Sequence, residues 1–415
     1  MTRSGWCALA LLCAAPRSAA ASRAELGPSP QGAAFADTSY GCIVCHADKR
    51  RGFALGVHAE RGIRCHDCHG GNPAAFETPA AHRGQFIGAP GKLRIIALCS
   101  VCHADPNQMR QYGIPADQLA ELRTSRHGQL LLVRGDTAAP TCTDCHDAHT
   151  VLRPIDARST VYPANVPATC GRCHEDAGLM RRYGIPTDQT AVFRESAHGT
   201  ALLVEGNFAA PNCTGCHGSH AALPPTVTEI SNVCSRCHVL VGRAFDQGPH
   251  AGPARSGAVA GCLACHSNHG TERVPPEQLS AVCSRCHAAG TVAATLAADV
   301  QEQILRVAEE LRAAELALEE LARAGEPVAD ARFRYTTART AYEQLGQVQH
   351  SLNLEHLAEL STRAGSITRD IRATAEAARE RRWERRLILV PVWFLALAAV
   401  TLARFKLADL RRRGD

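Results

Sequence analysis

Aromatic residues are scarce, at 5% of the chain, and a sequence so poor in them has little with which to fill a conventional core. Only three methionines occur, Met1, Met109 and Met180. The two internal ones occupy equivalent positions of a repeat, where a thioether could ligate a metal, but packing on a short helix is the expected role. Beyond residue 21 no cysteine falls outside one five-residue pattern, which leaves none over for an independent disulfide framework. Charge is missing in two places. Residues 6–15 form an apolar run after the lone Arg3, and Ala19, Ala20 and Ala21 supply an A-x-A cleavage site. Residues 1–21 therefore read as a secretory signal peptide that carries Cys7 and Cys13 away with it. Leu12 stands before Cys13 where a lipoprotein signal needs a small residue, which argues against lipidation. Residues 387–403, LILVPVWFLALAAVTLA, hold neither charge nor histidine and are just long enough to cross a bilayer as a helix.

What is present is the pattern CxxCH, nine times over. It supplies Cys42, Cys45 and His46; Cys65, Cys68 and His69; Cys99, Cys102 and His103; Cys142, Cys145 and His146; Cys170, Cys173 and His174; Cys213, Cys216 and His217; Cys234, Cys237 and His238; Cys262, Cys265 and His266; and Cys283, Cys286 and His287. Disulfides would suit an exported chain with an even cysteine count, and CxxC pairs also occur in zinc ribbons. Neither explains a histidine after the second cysteine in all nine. Covalent haem c does, with two thioethers fixing the porphyrin edge and the adjacent histidine reaching the iron. Nine haems over residues 37–290 leave too little protein per haem for separate cores. The expected fold is mostly α with much irregular structure: loops and short helices around stacked haems.

Residues 99–154 and 170–225 align without a gap and agree at 31 of 56 positions, so a two-haem unit is duplicated. Looser copies flank it. Motifs of a first type begin at Cys42, Cys99, Cys170, Cys234 and Cys283, and motifs of a second type at Cys65, Cys142, Cys213 and Cys262. That makes four units and an incomplete fifth. One spare histidine lies between the two motifs of each unit: His58, His127, His198 and His250. Another follows the second motif in three units: His149, His220 and His269. The first unit has Asn72 there, with His82 soon after. A lone H-G pair marks a turn more often than a ligand, but placement that recurs from unit to unit points to bis-histidine coordination. His66 sits inside its own motif, where reach is limited.

After Gly290 the composition turns rich in Ala, Leu and Glu at helical spacing. Helices are expected over 291–323, over about 328–348 and from about 354 onward, broken at Gly325 and Pro327 and again near Ser351 and Asn353. They form a bundle over 291–386, followed by the transmembrane helix at 387–403 and a cytoplasmic tail at 404–415. Arginines flank the span on both sides, so orientation follows from the signal peptide rather than from charge. The motif at Cys283 lacks the spare histidine that a completed unit would supply. Only His350 and His356 lie downstream, and His350 is the expected partner.

The nine motifs, with the recurring blocks S-x-H-G and A-P-x-C-x-x-C-H-x-x-H, resemble the multihaem c-type cytochromes of bacterial respiratory chains. The likeness covers residues 42–287, and VQHSLNLEHLAEL resembles the C-terminal helices appended to some of them. It implies periplasmic electron transfer between a membrane quinol-oxidising complex and a periplasmic reductase or outer-membrane redox conduit, with no nucleic-acid partner. The competing reading is a nitrogen- or sulfur-oxyanion reductase with one open haem. Multihaem nitrite and tetrathionate reductases replace one CxxCH by CxxCK, whereas all nine motifs here end in histidine. Direct quinol oxidation is a third reading, although quinol dehydrogenases of this kind usually carry an N-terminal anchor.

Overall fold

The structure is a computed structural model that describes residues 39–413; the expected signal peptide lies outside the described residues. Among the described residues there is no strand, and short helices joined by turns lead into three long helices. The two motif types differ in how the chain leaves them. In the duplicated units the first type closes a helix, α1 (Lys92–His103) or α2 (Val166–His174), and Ala104 and Glu175 follow with φ of -102° and -92°. The second type is a helix of only four or five residues: Cys65–His69, Cys142–His146, Cys213–His217 and Leu263–His266. Side chains start these short turns. Thr141 forms a capping box with Asp144, whose carboxylate accepts from Thr141 N at 2.7 Å, and Asn212 Oδ1 accepts from Thr214 N at 3.0 Å. Each then ends on a residue with positive φ: Gly70 (69°), Asp147 (62°), Gly218 (80°) and Ser267 (59°). The chain therefore doubles back after every second-type histidine.

The S-x-H-G blocks have a packing cause. Ser125 and Ser196 are buried and cap a short helix, each Oγ accepting from the glycine N–H three residues on at 2.9 Å. A Cβ on Gly128 would stand 1.7 Å from Leu122 O, and one on Gly199 would stand 1.9 Å from Phe193 O. Glycine is needed here because two helices cross at backbone contact, which fixes His127 and His198 at the crossing. The turn role that a lone H-G suggests is taken instead by Gly113 and Gly184, at φ 65° and 66° in the two YGIP segments. Met109 and Met180 are buried beside those turns, in line with a packing role.

The expected bundle is present. Helix α3 (Val239–Gln247) precedes it, and its own helices are α4 (Val292–Arg323), α5 (Ala329–Val348) and α6 (Leu354–Arg412). Along α4 the buried positions are Ala297, Val300, Ile304, Val307, Leu311, Ala314, Leu318 and Leu321, steps of three and four in strict alternation. That heptad seam meets Ala338, Ala341 and Leu345 of α5 and Leu357, Leu360 and Ala364 of α6 in one core. Gly325 turns the chain at φ 74°, and Asn353 caps α6 by accepting from His356 N at 3.2 Å. Helix α6 runs on past the bundle for 59 residues in all, about 88 Å at 1.5 Å per residue. Its apolar stretch meets the length and composition of a membrane span and is 0% buried.

At its top the bundle is bolted to the motif region. The 3₁₀ turn Gln349–Ser351 rests on α3. A Cβ on Gly248 would come within 2.7 Å of His350 O, so the approach requires glycine. Ser280 N donates to Gln301 Oε1 at 2.8 Å, a second tie to α4.

Candidate functional site

Every motif histidine is faced by a second histidine. Ring centroids are 6.2 Å apart for His46 and His82, 6.0 Å for His69 and His149, and 6.1 Å for His103 and His58. They are 6.0 Å for His146 and His220, 6.1 Å for His174 and His127, and 5.9 Å for His217 and His269. They are 6.0 Å for His238 and His198, 6.2 Å for His266 and His350, and 6.0 Å for His287 and His250. Two imidazoles bonded to one metal through nitrogens about 2.0 Å from it, with ring centres about 1.1 Å farther out, stand about 6.2 Å apart. The nine spacings fit a shared iron. Burial, and next the facing motif histidine, holds His58, His127, His198 and His250 below the usual histidine range, which favours the neutral form that a metal ligand requires. Among the described residues no cluster of three or more His, Cys, Asp or Glu could hold a metal, so the cysteines do not assemble the four-ligand sets of a zinc ribbon.

The pairing obeys a rule that spacing along the chain conceals. Each histidine between two motifs faces the first motif of the next unit. Each histidine after a second motif faces the second motif of the previous unit. Two exceptions stand at the ends. The first motif has no earlier unit to draw on, and its partner His82 comes from its own unit, stacked on Phe86 at 4.1 Å. Asn72 fits this rule, since no CxxCH precedes Cys42 in the sequence for a histidine there to face. At the other end His350 does not face His287, as the sequence reading expected; it faces His266, while His250 faces His287. The position left short by the incomplete unit is the second motif of the fourth unit, because its partner would come from a unit beyond.

His66 faces no motif histidine; its Nδ1 is hydrogen-bonded to the Tyr40 hydroxyl at 2.9 Å. His356 likewise faces no motif histidine; its backbone N–H donates to Asn353 Oδ1 at the start of α6. The cysteines form a continuous series. Within units the first cysteines lie side by side: Cys99 beside Cys142, Cys170 beside Cys213, and Cys234 beside Cys262. Between units the second cysteines are neighbours. Burial, then Asp67 and Cys102, raise the Cys68 thiol; burial, then Cys283 and Cys286, raise Cys265. Cys145 lies beside Cys173 and Cys216 beside Cys237 in the same way. The second cysteine of each second-type motif thus lies near the first-type motif that follows it in sequence.

A family model described as cytochrome c3 matches residues 57–175. That stretch includes the motifs beginning at Cys65, Cys99, Cys142 and Cys170, and the chain contains a cytochrome c3-like multihaem electron-transfer domain, for which the cofactor is covalently bound haem c. No curated protein and no solved structure gives a match.

Proposed function

We propose that the chain is a membrane-anchored nine-haem electron carrier on the periplasmic side of the bacterial inner membrane, with its C-terminus in the cytoplasm. The observation that carries this reading is the full set of opposed histidines, nine pairs for nine motifs. Bound haem would supply a one-electron iron couple at each position. Each facing pair would hold the iron between two histidines, which would leave no place there for substrate and suits transfer without chemistry at the metal. Consecutive motifs lie near one another through their cysteines, which places successive attachment points side by side. The expected result is that the reduced protein binds no carbon monoxide and the oxidised protein shows only low-spin haem at low temperature. A stoichiometric high-spin, ligand-binding haem in the wild type would overturn the carrier reading in favour of a multihaem reductase.

The bundle acts as a spacer. Residues 354–387 of α6 rise about 50 Å between the motif region and the apolar stretch. That distance is far beyond electron tunnelling from a quinol in the bilayer. The membrane-side partner is therefore a quinol-oxidising complex whose own redox groups stand above the surface. The other partner is a periplasmic or outer-membrane redox protein. Because 387–403 holds no histidine, truncation before Arg386 should release a water-soluble protein with all nine haems by mass. Loss of any haem on truncation would show that the anchor is not passive.

A further inference from the structure

The angles between facing imidazoles sort by motif type without overlap. At the second-type motifs they are 16°, 22°, 22° and 25°. At the first-type motifs they are 33°, 67°, 54°, 35° and 50°. The same division appears behind the rings. After each second-type histidine the positive-φ residue turns the chain back, and at three of the four a carbonyl arrives at Nδ1: Gly88 O at 2.9 Å from His69, Leu223 O at 3.2 Å from His217 and Glu272 O at 2.8 Å from His266. A carbonyl only accepts, so Nδ1 carries the proton and Nε2 is left for the metal. His146 lacks such a bond among the described residues, but its partner His220 has the Glu121 carboxylate 3.5 Å from Nδ1. His350, facing His266, donates from Nδ1 to Gln347 O at 3.1 Å. No first-type motif histidine makes a side-chain hydrogen bond among the described residues; on the facing side only His198 does, with the Thr271 hydroxyl at 3.2 Å.

We infer that the two motif types are two redox classes, interleaved one for one along the chain, with the second-type positions at lower potential. This rests on the haem-carrier reading above. An acceptor behind a ligating imidazole pushes electron density toward the metal and favours the oxidised iron. Nearly parallel rings donate into the same iron orbital, whereas crossed rings share their donation between two. The ring angle therefore grades the class spectroscopically: nearly parallel pairs give a rhombic low-spin signal, and the maximum g value rises as the rings turn from parallel, to its highest at His58 and His103 at 67°. The five first-type positions hold electrons preferentially, and the four second-type positions are the steps between them. Glu121 is a positioning residue in this scheme, acting on the metal only through His220.

The test is a potentiometric titration of the full-length protein read by low-temperature EPR. Four rhombic spins and five of higher maximum g are expected, with the five disappearing first as the potential falls. Glu121→Gln should move the midpoint of one rhombic spin upward and leave the other eight in place. Nine low-spin haems in a single class, the rhombic class reduced first, or a Glu121→Gln protein with no shift would each overturn the inference while leaving the carrier intact. Fewer than nine low-spin haems in the wild type would overturn the carrier reading itself.

Discussion

His350→Ala should convert one haem in nine to a high-spin, carbon monoxide-binding site and should free the top of the bundle. The expected site is the one attached through Cys262 and Cys265, not the last. His350 stands opposite His266 with ring centroids 6.2 Å apart. Its Nδ1 is held by Gln347 O, and the turn that carries it sits against α3, where Gly248 leaves no room for a side chain. A metal–ligand bond made by this turn is a tether between the two parts of the molecule, and metal binding of this kind is also folding energy. Its loss should make the 349–353 segment sensitive to protease, while the heptad core keeps the three helices together. The ring angles identify the site. His350→Ala should remove one rhombic spin, because the His266 pair is at 25°, whereas His250→Ala should remove a spin of higher maximum g, because the His287 pair is at 50°. If His350→Ala removed a spin of the higher-g class, His350 would serve the last motif and the pairing in the structure would be wrong.

Position along the chain points His350 to His287, whereas in the structure it faces His266. The motifs, the duplication and the set of spare histidines are all local patterns, and their positions stand out in the chain. So do the bundle helices, because Gly325 and Asn353 punctuate them where helix ends need a left-handed residue or a cap. Pairing is different. His58 faces His103 and His149 faces His69, so each partner lies in another unit, and spacing within a unit holds no trace of it. One signal was available. Asn72 stands where three other units carry histidine, and a ligand missing only from the first unit points to backward donation. By the same logic the shortage at the far end falls on His266. The ring angles and the acceptors behind Nδ1 were out of reach, since the one behind His266 depends on a positive φ at Ser267, a residue whose identity does not demand it.

Without haem, the motif region should fail to fold while the bundle persists. Fourteen buried apolar residues are spread over 39–290, against eighteen packed into 292–378. The largest buried cluster of the motif region joins only Ile96, Leu131 and Ala139, whereas the bundle has a continuous seam from Ala297 to Leu321. The cofactor must therefore supply much of what the motif region buries. Expression without haem c maturation should leave a chain whose helical signal comes from residues 292–386 and whose first part is digested. The crossed pairing sets how damage spreads. Replacing Cys170 and Cys173 by alanine would strand His174 and also His127, which belongs to the unit before, so two units come apart and the whole region should be destabilised. Replacing Cys42 and Cys45 should be milder, because His46 draws its partner His82 from its own unit and no other unit depends on that link. Protease resistance compared across the two variants measures this difference. A compact, resistant motif region in the haem-free protein, or equal damage from the central and the terminal replacement, would show that the haems are cargo rather than structure.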